Sequence, residues 1–308
     1  MSAPVPLRKR LRRRARYHLI RAALALVGAL PISFSGMLGR ALGTVAFWLA
    51  ANERRKALAS LAVAFPDRPE AERRALAKAS FQHLGRCAFE LACVAQLDRA
   101  VDRFIEWPEA DRRALEAAIA RGRGVVFVTG HVGNWELLAR RVALAGFPAQ
   151  SIARETSDAG TTALVERFRE SGGVKSIWRG QEGAARAMLR ALRAGEILGM
   201  VIDQDTKVQS VFVPFFGRLA ATPRAPADLA LRTGAALMVG FCQRKSDGRY
   251  LLTMKELPVE PSGDRERDVL KLTEALSSEI EHAIRRAPEQ WVWMHQRWKT
   301  RPQSEGRP

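Results

Sequence analysis

From residue 124 onward the chain alternates short, almost wholly apolar runs with longer segments of helical periodicity, and no other feature restricts its fold as tightly. The runs are VVFVTG, QSIA, ILGMVID, ALMVGFC and YLLTMK, and the intervening segments include TTALVERFRESGG and EGAARAMLRALRAG. Strands that are apolar on both faces, separated by helices, predict an α/β domain with a central, mostly parallel sheet flanked by helices. A last helix is expected over roughly 266–286, followed by the aromatic and basic ending WVWMHQRWKTRP. Upstream, residues 53–122 are rich in Ala, Leu, Arg and Glu and predict a helical region packed on that domain. The expected division is a basic and apolar anchor over 1–52, helices over 53–122, the α/β domain over 123–302 and a loose tail over 303–308.

The 308 residues carry 50 basic against 32 acidic side chains, a formal charge of +18, so the surface attracts anions. Arg8, Lys9, Arg10, Arg12, Arg13, Arg14, Arg16 and Arg21 precede any acidic residue, and the first acid is Glu53. Such a run could be a nucleic-acid arm or a solvated tail. Because it leads straight into an apolar stretch, a segment drawn to anionic lipid is expected, and no nucleic-acid partner. Between Ala22 and Asn52 the only charge is Arg40. A cleaved signal peptide fits poorly, because the apolar stretch runs well past the usual length and shows no convincing cleavage site before Glu53. A single span is the alternative, but Pro31, Gly36, Gly39, Gly43 and Arg40 interrupt it, and ERRK at 53–56 makes the second flank basic too. Basic flanks on both sides predict a monotopic or hairpin segment in the inner membrane, with the rest on the cytoplasmic face. Cys87, Cys93 and Cys242 have neither paired nor metal-ligand spacing and are expected to be buried and reduced.

Two segments carry side chains suited to chemistry. In GVVFVTGHVGNWE, His131 follows a buried strand, where open α/β sheets place their ligands, and Glu136 falls in the first turns of the next helix. The short separation predicts a carboxylate that folds back onto the imidazole and fixes its tautomer while His131 removes a proton from a hydroxyl. Read locally, the same pair is a capping histidine beside a surface glutamate. In VIDQDTKVQSVFVPFFGRLAAT, Asp203 and Asp205 end a strand, and an apolar aromatic loop is expected to follow. These carboxylates either cap a turn or bind a polar headgroup; VFVPFFG is either core or a channel wall, and core is the simpler reading. No GxSxG elbow, Walker loop or HExxH site is present.

Together these segments resemble the bacterial lipid A biosynthesis acyltransferases. GHVGNWE is similar to the family's HX4D/E motif, and DQD, VFVPFFGRLAAT, APEQWVWMHQRWKTRP and the amino-terminal region ending in LAVAFP follow in the family's order. The resemblance implies a glycerolipid-acyltransferase-like fold that moves a fatty acyl chain from acyl carrier protein, or coenzyme A, to a hydroxyl of a lipid A precursor or related glycolipid. Acceptors such as a mannosylated inositol lipid, an ornithine lipid or a lysophospholipid stay open, as does a non-enzymatic basic membrane adaptor. His131 would be the base and Glu136 its partner, with no metal and no resident cofactor. An arginine before the second motif and the first Asp of DQD are also implied to be functional. Asp203 takes the latter place, with Asp205 beside it; Arg167 and Arg169 compete for the arginine, with Arg154 as a third candidate. A guanidinium suits a phosphorylated acceptor. His295, Arg297, Lys299 and Arg301 match a further family segment, as packing or as substrate contacts.

Overall fold

A computed structural model describes the backbone of residues 7–155 and 158–302, with side chains from Tyr17 onward. The side chains of the basic run up to Arg16 and the tail 303–308 lie outside the described residues. The amino-terminal helices are α1 (Leu7–Gly28), α2 (Ile32–Leu49), α3 (Ala51–Ala64), α4 (Glu70–Ala92), α5 (Val94–Arg99) and α6 (Val101–Phe104). A two-residue strand β1 (Ile105–Glu106) and α7 (Glu109–Ala120) lead into the alternating region. There β2 (Val125–Thr129), α8 (Trp135–Leu144), β3 (Ala149–Arg154), α9 (Ala159–Glu170), β4 (Val174–Arg179), α10 (Ala184–Arg193) and β5 (Ile197–Val201) follow one another. The chain then forms β6 (Ser210–Phe215), β7 (Arg218–Pro223), α11 (Ala225–Thr233), β8 (Ala236–Arg244), β9 (Tyr250–Leu257) and α12 (Arg265–Arg286), and ends in a short turn of 3-10 helix at Pro288–Gln290.

The main sheet has the order β1-β9-β8-β2-β5-β3-β4. Its five strands from β8 to β4 run parallel, while β9 pairs antiparallel to β8 and β1 parallel to β9. This is the expected mostly parallel α/β sheet, and all five residues of β2 are buried because both faces are covered. Val126 and Val128 point into the core shared with α11, α12 and Trp291, and Val125 and Phe127 into the core shared with α7 and α8.

Three elements differ from the sequence reading. The stretch 53–122 is not wholly helical, since β1 adds a parallel edge to β9. VKSIWR forms β4 at the opposite edge, where alternation with exposed Lys175 conceals an apolar run. The expected loop VFVPFFG is half of an antiparallel hairpin, β6 with β7. Val213 of that hairpin is buried, and Phe215, with Phe216 in the turn, packs against Trp291, Trp293 and Trp298 in the core.

The apolar segment bends at Leu30–Pro31, so it is two helices. In α2, the residues turned inward are Ser35, Gly36, Gly39, Gly43 and Phe47, spaced about one turn apart. They let α2 cross α4 at backbone contact: a Cβ on Gly39 would lie 2.4 Å from the Gly85 carbonyl oxygen, and one on Gly43 2.3 Å from that of Phe81. The large residues point the other way, with Phe34, Met37, Leu42, Val45, Trp48 and Leu49 exposed. By length and composition α2 is apolar enough to cross a membrane, with mean hydropathy 1.2 over 18 residues.

Candidate active site

The register of the sheet builds the site. β2 and β5 are parallel neighbours with Thr129 opposite Val201, so two residues beyond each strand end His131 stands beside Asp203. The imidazole Nδ1 lies 2.7 Å from Asp203 Oδ1, and the His131 backbone N–H donates to Oδ2 at 2.6 Å. The Trp291 indole N–H donates to the same Oδ2 at 2.7 Å. Asp203 is 1% exposed. Burial opposes its charge, but the facing His131, His295 and the Trp291 donor hold the carboxyl well below the usual carboxylate range. An ionised Oδ1 takes the proton on Nδ1, so in the neutral ring the lone pair lies on Nε2, the form a general base needs.

Gln204 and His295 face that lone pair. The Gln204 amide nitrogen is 3.1 Å from His131 Nε2 and 2.7 Å from His295 Nε2. The His131 ring is held edge-on between Trp135 and His295, each with its centroid 4.8 Å away. Burial pulls His295 down to about 4, so this second imidazole is neutral at ordinary pH.

The expected contact between Glu136 and His131 is absent. Asn134 caps α8 by accepting from the Leu137 N–H at 3.2 Å, and this starts the helix so that Glu136 reaches α9 instead. There it binds Arg169 through two bonds, Nε to Oε2 at 3.0 Å and Nη2 to Oε1 at 2.6 Å. The orienting carboxylate is therefore Asp203, contributed by another strand, and Glu136 positions a guanidinium. Arg169 Nη1 is buried with no partner among the described residues, although the side chain lines the same cavity as His131.

The cavity measures about 730 Å³, within the usual range for a small-molecule site. His131, Glu136, Arg154, Arg169, Gln204 and Asp205 are among the polar residues at its mouth. From there it follows β3 and β5 to Ala149 and Ile197 at the strand starts, a run of roughly 15 Å at ~3.3 Å per residue. Leu138, Val142, Ile152, Met188 and Met200 supply apolar walls. Of the competing arginines, Arg169 lines the cavity, whereas Arg167 is exposed and sits over the Tyr17 ring at 5.7 Å. Asp205 accepts from the Thr300 backbone N–H at 2.6 Å and from its hydroxyl at 3.0 Å, tying the carboxyl-terminal segment to the rim. Arg297 is buried, donates to Ala221 O and Thr222 Oγ1 and stacks on Phe215, so it packs rather than faces the cavity. Gln204, Trp291 and Arg179 were not singled out by the sequence, although Gln204 sits inside DQD.

The loop carrying His131 is fixed from behind. Gly133 adopts φ +65, and a Cβ there would meet the Cys242 carbonyl oxygen at 2.1 Å, so only glycine permits this approach. The Gly133 N–H donates to Gln290 O at 2.9 Å and its carbonyl accepts from His83 Nε2 at 3.2 Å. Burial, with the charge of Arg244, pulls His83 down to about 4. Below it lies a buried network in which Glu90 binds Arg244, Arg86 and the Tyr250 hydroxyl. Cys87, Cys93 and Cys242 are buried free thiols, as expected.

An open, mostly parallel sheet with a histidine–carboxylate couple at its strand ends, above an elongated apolar cavity, defines an α/β enzyme that acts on a lipid-like substrate. The profile of the bacterial lipid A biosynthesis acyltransferases matches residues 6–300, and the chain belongs to that family; it is an acyltransferase with a lipid acceptor. It is 30% identical to the lipid A biosynthesis lauroyltransferase of Escherichia coli K12, over 91% of this chain and 90% of that protein. Identity to the lipid A biosynthesis palmitoleoyltransferase of the same strain is 28%, over 90% of this chain and 88% of that one. A phosphatidylinositol mannoside acyltransferase of Mycolicibacterium smegmatis is 27% identical over 60% of each chain.

Proposed function

We propose that the chain transfers a fatty acyl group from a carrier-protein or coenzyme A thioester to a hydroxyl of a lipid A precursor or closely related glycolipid, at the cytoplasmic face of the inner membrane. The observation that carries this reading is the contact of His131 Nδ1 with Asp203 Oδ1, which leaves Nε2 as the nitrogen available to substrate, beside an apolar cavity long enough for an acyl chain. The acceptor hydroxyl gives its proton to Nε2 as its oxygen attacks the thioester carbonyl carbon. The tetrahedral intermediate collapses with loss of the thiolate, which recovers the proton from the imidazolium. Asp203 stabilises that imidazolium, and the Gln204 amide must leave Nε2 for the hydroxyl to approach. Glu136 holds Arg169 in a fixed fork, leaving Nη1 for an anionic group of the substrate.

Membrane attachment is supported by the outward-facing apolar side of α2 and by Leu19, Leu24 and Leu26 of α1, which are also exposed. The small-in, large-out arrangement of α2 is that of a helix packing in lipid. The lipid A acceptor class is favoured over a mannosylated inositol lipid because the former relatives match along nearly the whole chain and the latter along 60%. The test is incubation of the purified full chain in detergent with an acyl carrier thioester and a lipid A precursor, followed by mass spectrometry of the lipid. An acceptor heavier by one acyl group is expected; an unchanged lipid, with transfer instead to a mannosylated inositol lipid or to nothing, contradicts the reading.

A further inference from the structure

At the far edge of the sheet, β3 and β4 run parallel in register, and the last of their facing pairs is Arg154 opposite Arg179. Like charges directly opposite one another on neighbouring strands are destabilising. Sequence and fold nevertheless place both at strand ends lining the cavity that contains His131. Neither guanidinium has an ion-pair or hydrogen-bond partner among the described residues. The carboxylates around them are engaged elsewhere: Glu155 accepts from Gln181, Glu136 from Arg169, and Asp205 from Thr300. Lys207 and Lys299 line the same cavity, also without ion pairs among the described residues.

We propose that Arg154 and Arg179 form a phosphate-ester subsite at the cavity mouth. Neighbouring strands lie ~4.8 Å apart, close enough for two guanidinium groups to share one phosphate, and the negative charge of a bound phosphate ester offsets the repulsion between them. β5 separates β2 from β3, so the pair stands two and three strands from the one that leads to His131, roughly 10 to 15 Å away. A phosphate on the acceptor's sugar and the phosphodiester of the donor's pantetheine arm both suit that distance. The subsite rests on the acyl-transfer reading above for the identity of its ligands, and on the arginine pair for its existence.

The experiment compares the full chain with Arg154→Ala/Arg179→Ala and Arg154→Lys/Arg179→Lys, each checked for an unchanged melting temperature. Acyl transfer is measured with a bisphosphorylated glucosamine-disaccharide lipid or its phosphatase-treated product, and with an acyl carrier thioester or an acyl N-acetylcysteamine thioester, which lacks phosphate. The double alanine variant is expected to raise KM roughly tenfold to a hundredfold for the partner whose phosphate sits here, with little change in kcat. The effect should vanish with that partner's phosphate-free analogue, and the lysine variant should retain most of the affinity. A KM shift on the acceptor assigns the lipid phosphate, and one on the donor assigns the pantetheine arm. Unchanged KM for both phosphorylated partners, or an equal rise with the phosphate-free analogues, overturns the subsite. Equilibrium binding of the same lipids to His131→Ala chains, with and without the arginine substitutions, separates the two readings. Phosphate-dependent binding lost with the arginines supports the subsite even if turnover fails, whereas turnover without such a loss leaves the acyltransferase standing and removes the subsite.

Discussion

The Glu136–Arg169 pair is nearly as sheltered as the histidine couple, with side chains 16% and 12% exposed, so neither partner tolerates losing the other. Replacing either one strands a charge in a low-dielectric site, which costs several times what an exposed pair is worth. Glu136→Gln and Arg169→Gln are each expected to impair transfer strongly, and the double variant to be no worse than the worse single one. The measurement is a double-mutant cycle on kcat/KM; additive losses would show that the two side chains act separately. His131 and Glu136 were legible in the sequence because they lie in one short motif, but their partners were not. Asp203 is 72 residues from His131, and only the β2–β5 register brings them together. Arg169 could not be told from Arg167 without knowing which face of α9 meets α8. Gln204 was hidden for the opposite reason, since a neutral side chain between two aspartates carries no charge pattern to mark it.

Among the elements, α2 makes the most exposed bet on its neighbours. With Gly39 and Gly43 against the backbone of α4, no side chain can be added without moving a helix. Gly39→Leu is expected to destabilise the amino-terminal helices by roughly 1–3 kcal/mol, read as a lower melting temperature in detergent. An unchanged melting temperature would mean that α2 does not dock on α4 as described. The outer face of the same helix is expected to carry the membrane contact. Leu42→Glu with Val45→Glu should reduce cosedimentation with anionic vesicles roughly tenfold, and undiminished binding would place the attachment elsewhere. The parallel strands were legible because burial on both faces leaves an uninterrupted apolar run. Edge strands lose that signal: β4 carries Lys175 and Arg179, β1 is two residues long, and β6 includes Pro214, a residue that argues against a strand although it takes an exposed position between buried Val213 and Phe215.

At the scale of the whole molecule, two buried histidines link stability to pH. His83 and His295 are both held at about 4 in the folded chain against an ordinary 6.5. The unfolded chain therefore takes up protons first, and the stability they contribute is full above about 6.5 and lost as pH falls toward 4. The melting temperature is expected to drop between about pH 7 and about pH 5, and less so in His83→Gln; a flat profile would contradict the burial of both rings. The same packing carries the Trp291 segment and His83 of α4 to the back of one strand end, so the candidate site is held by elements spread over most of the chain. The claim that unites them is that Asp203, not Glu136, keeps His131 a base. Single-turnover acyl transfer by Asp203→Asn decides it, because asparagine preserves shape but no longer demands the proton on Nδ1. The account predicts a rate lower by roughly a hundredfold to ten-thousandfold, close to that of His131→Ala, in a chain that still binds acceptor. A folded Asp203→Asn chain that transfers acyl groups at the unsubstituted rate would contradict it.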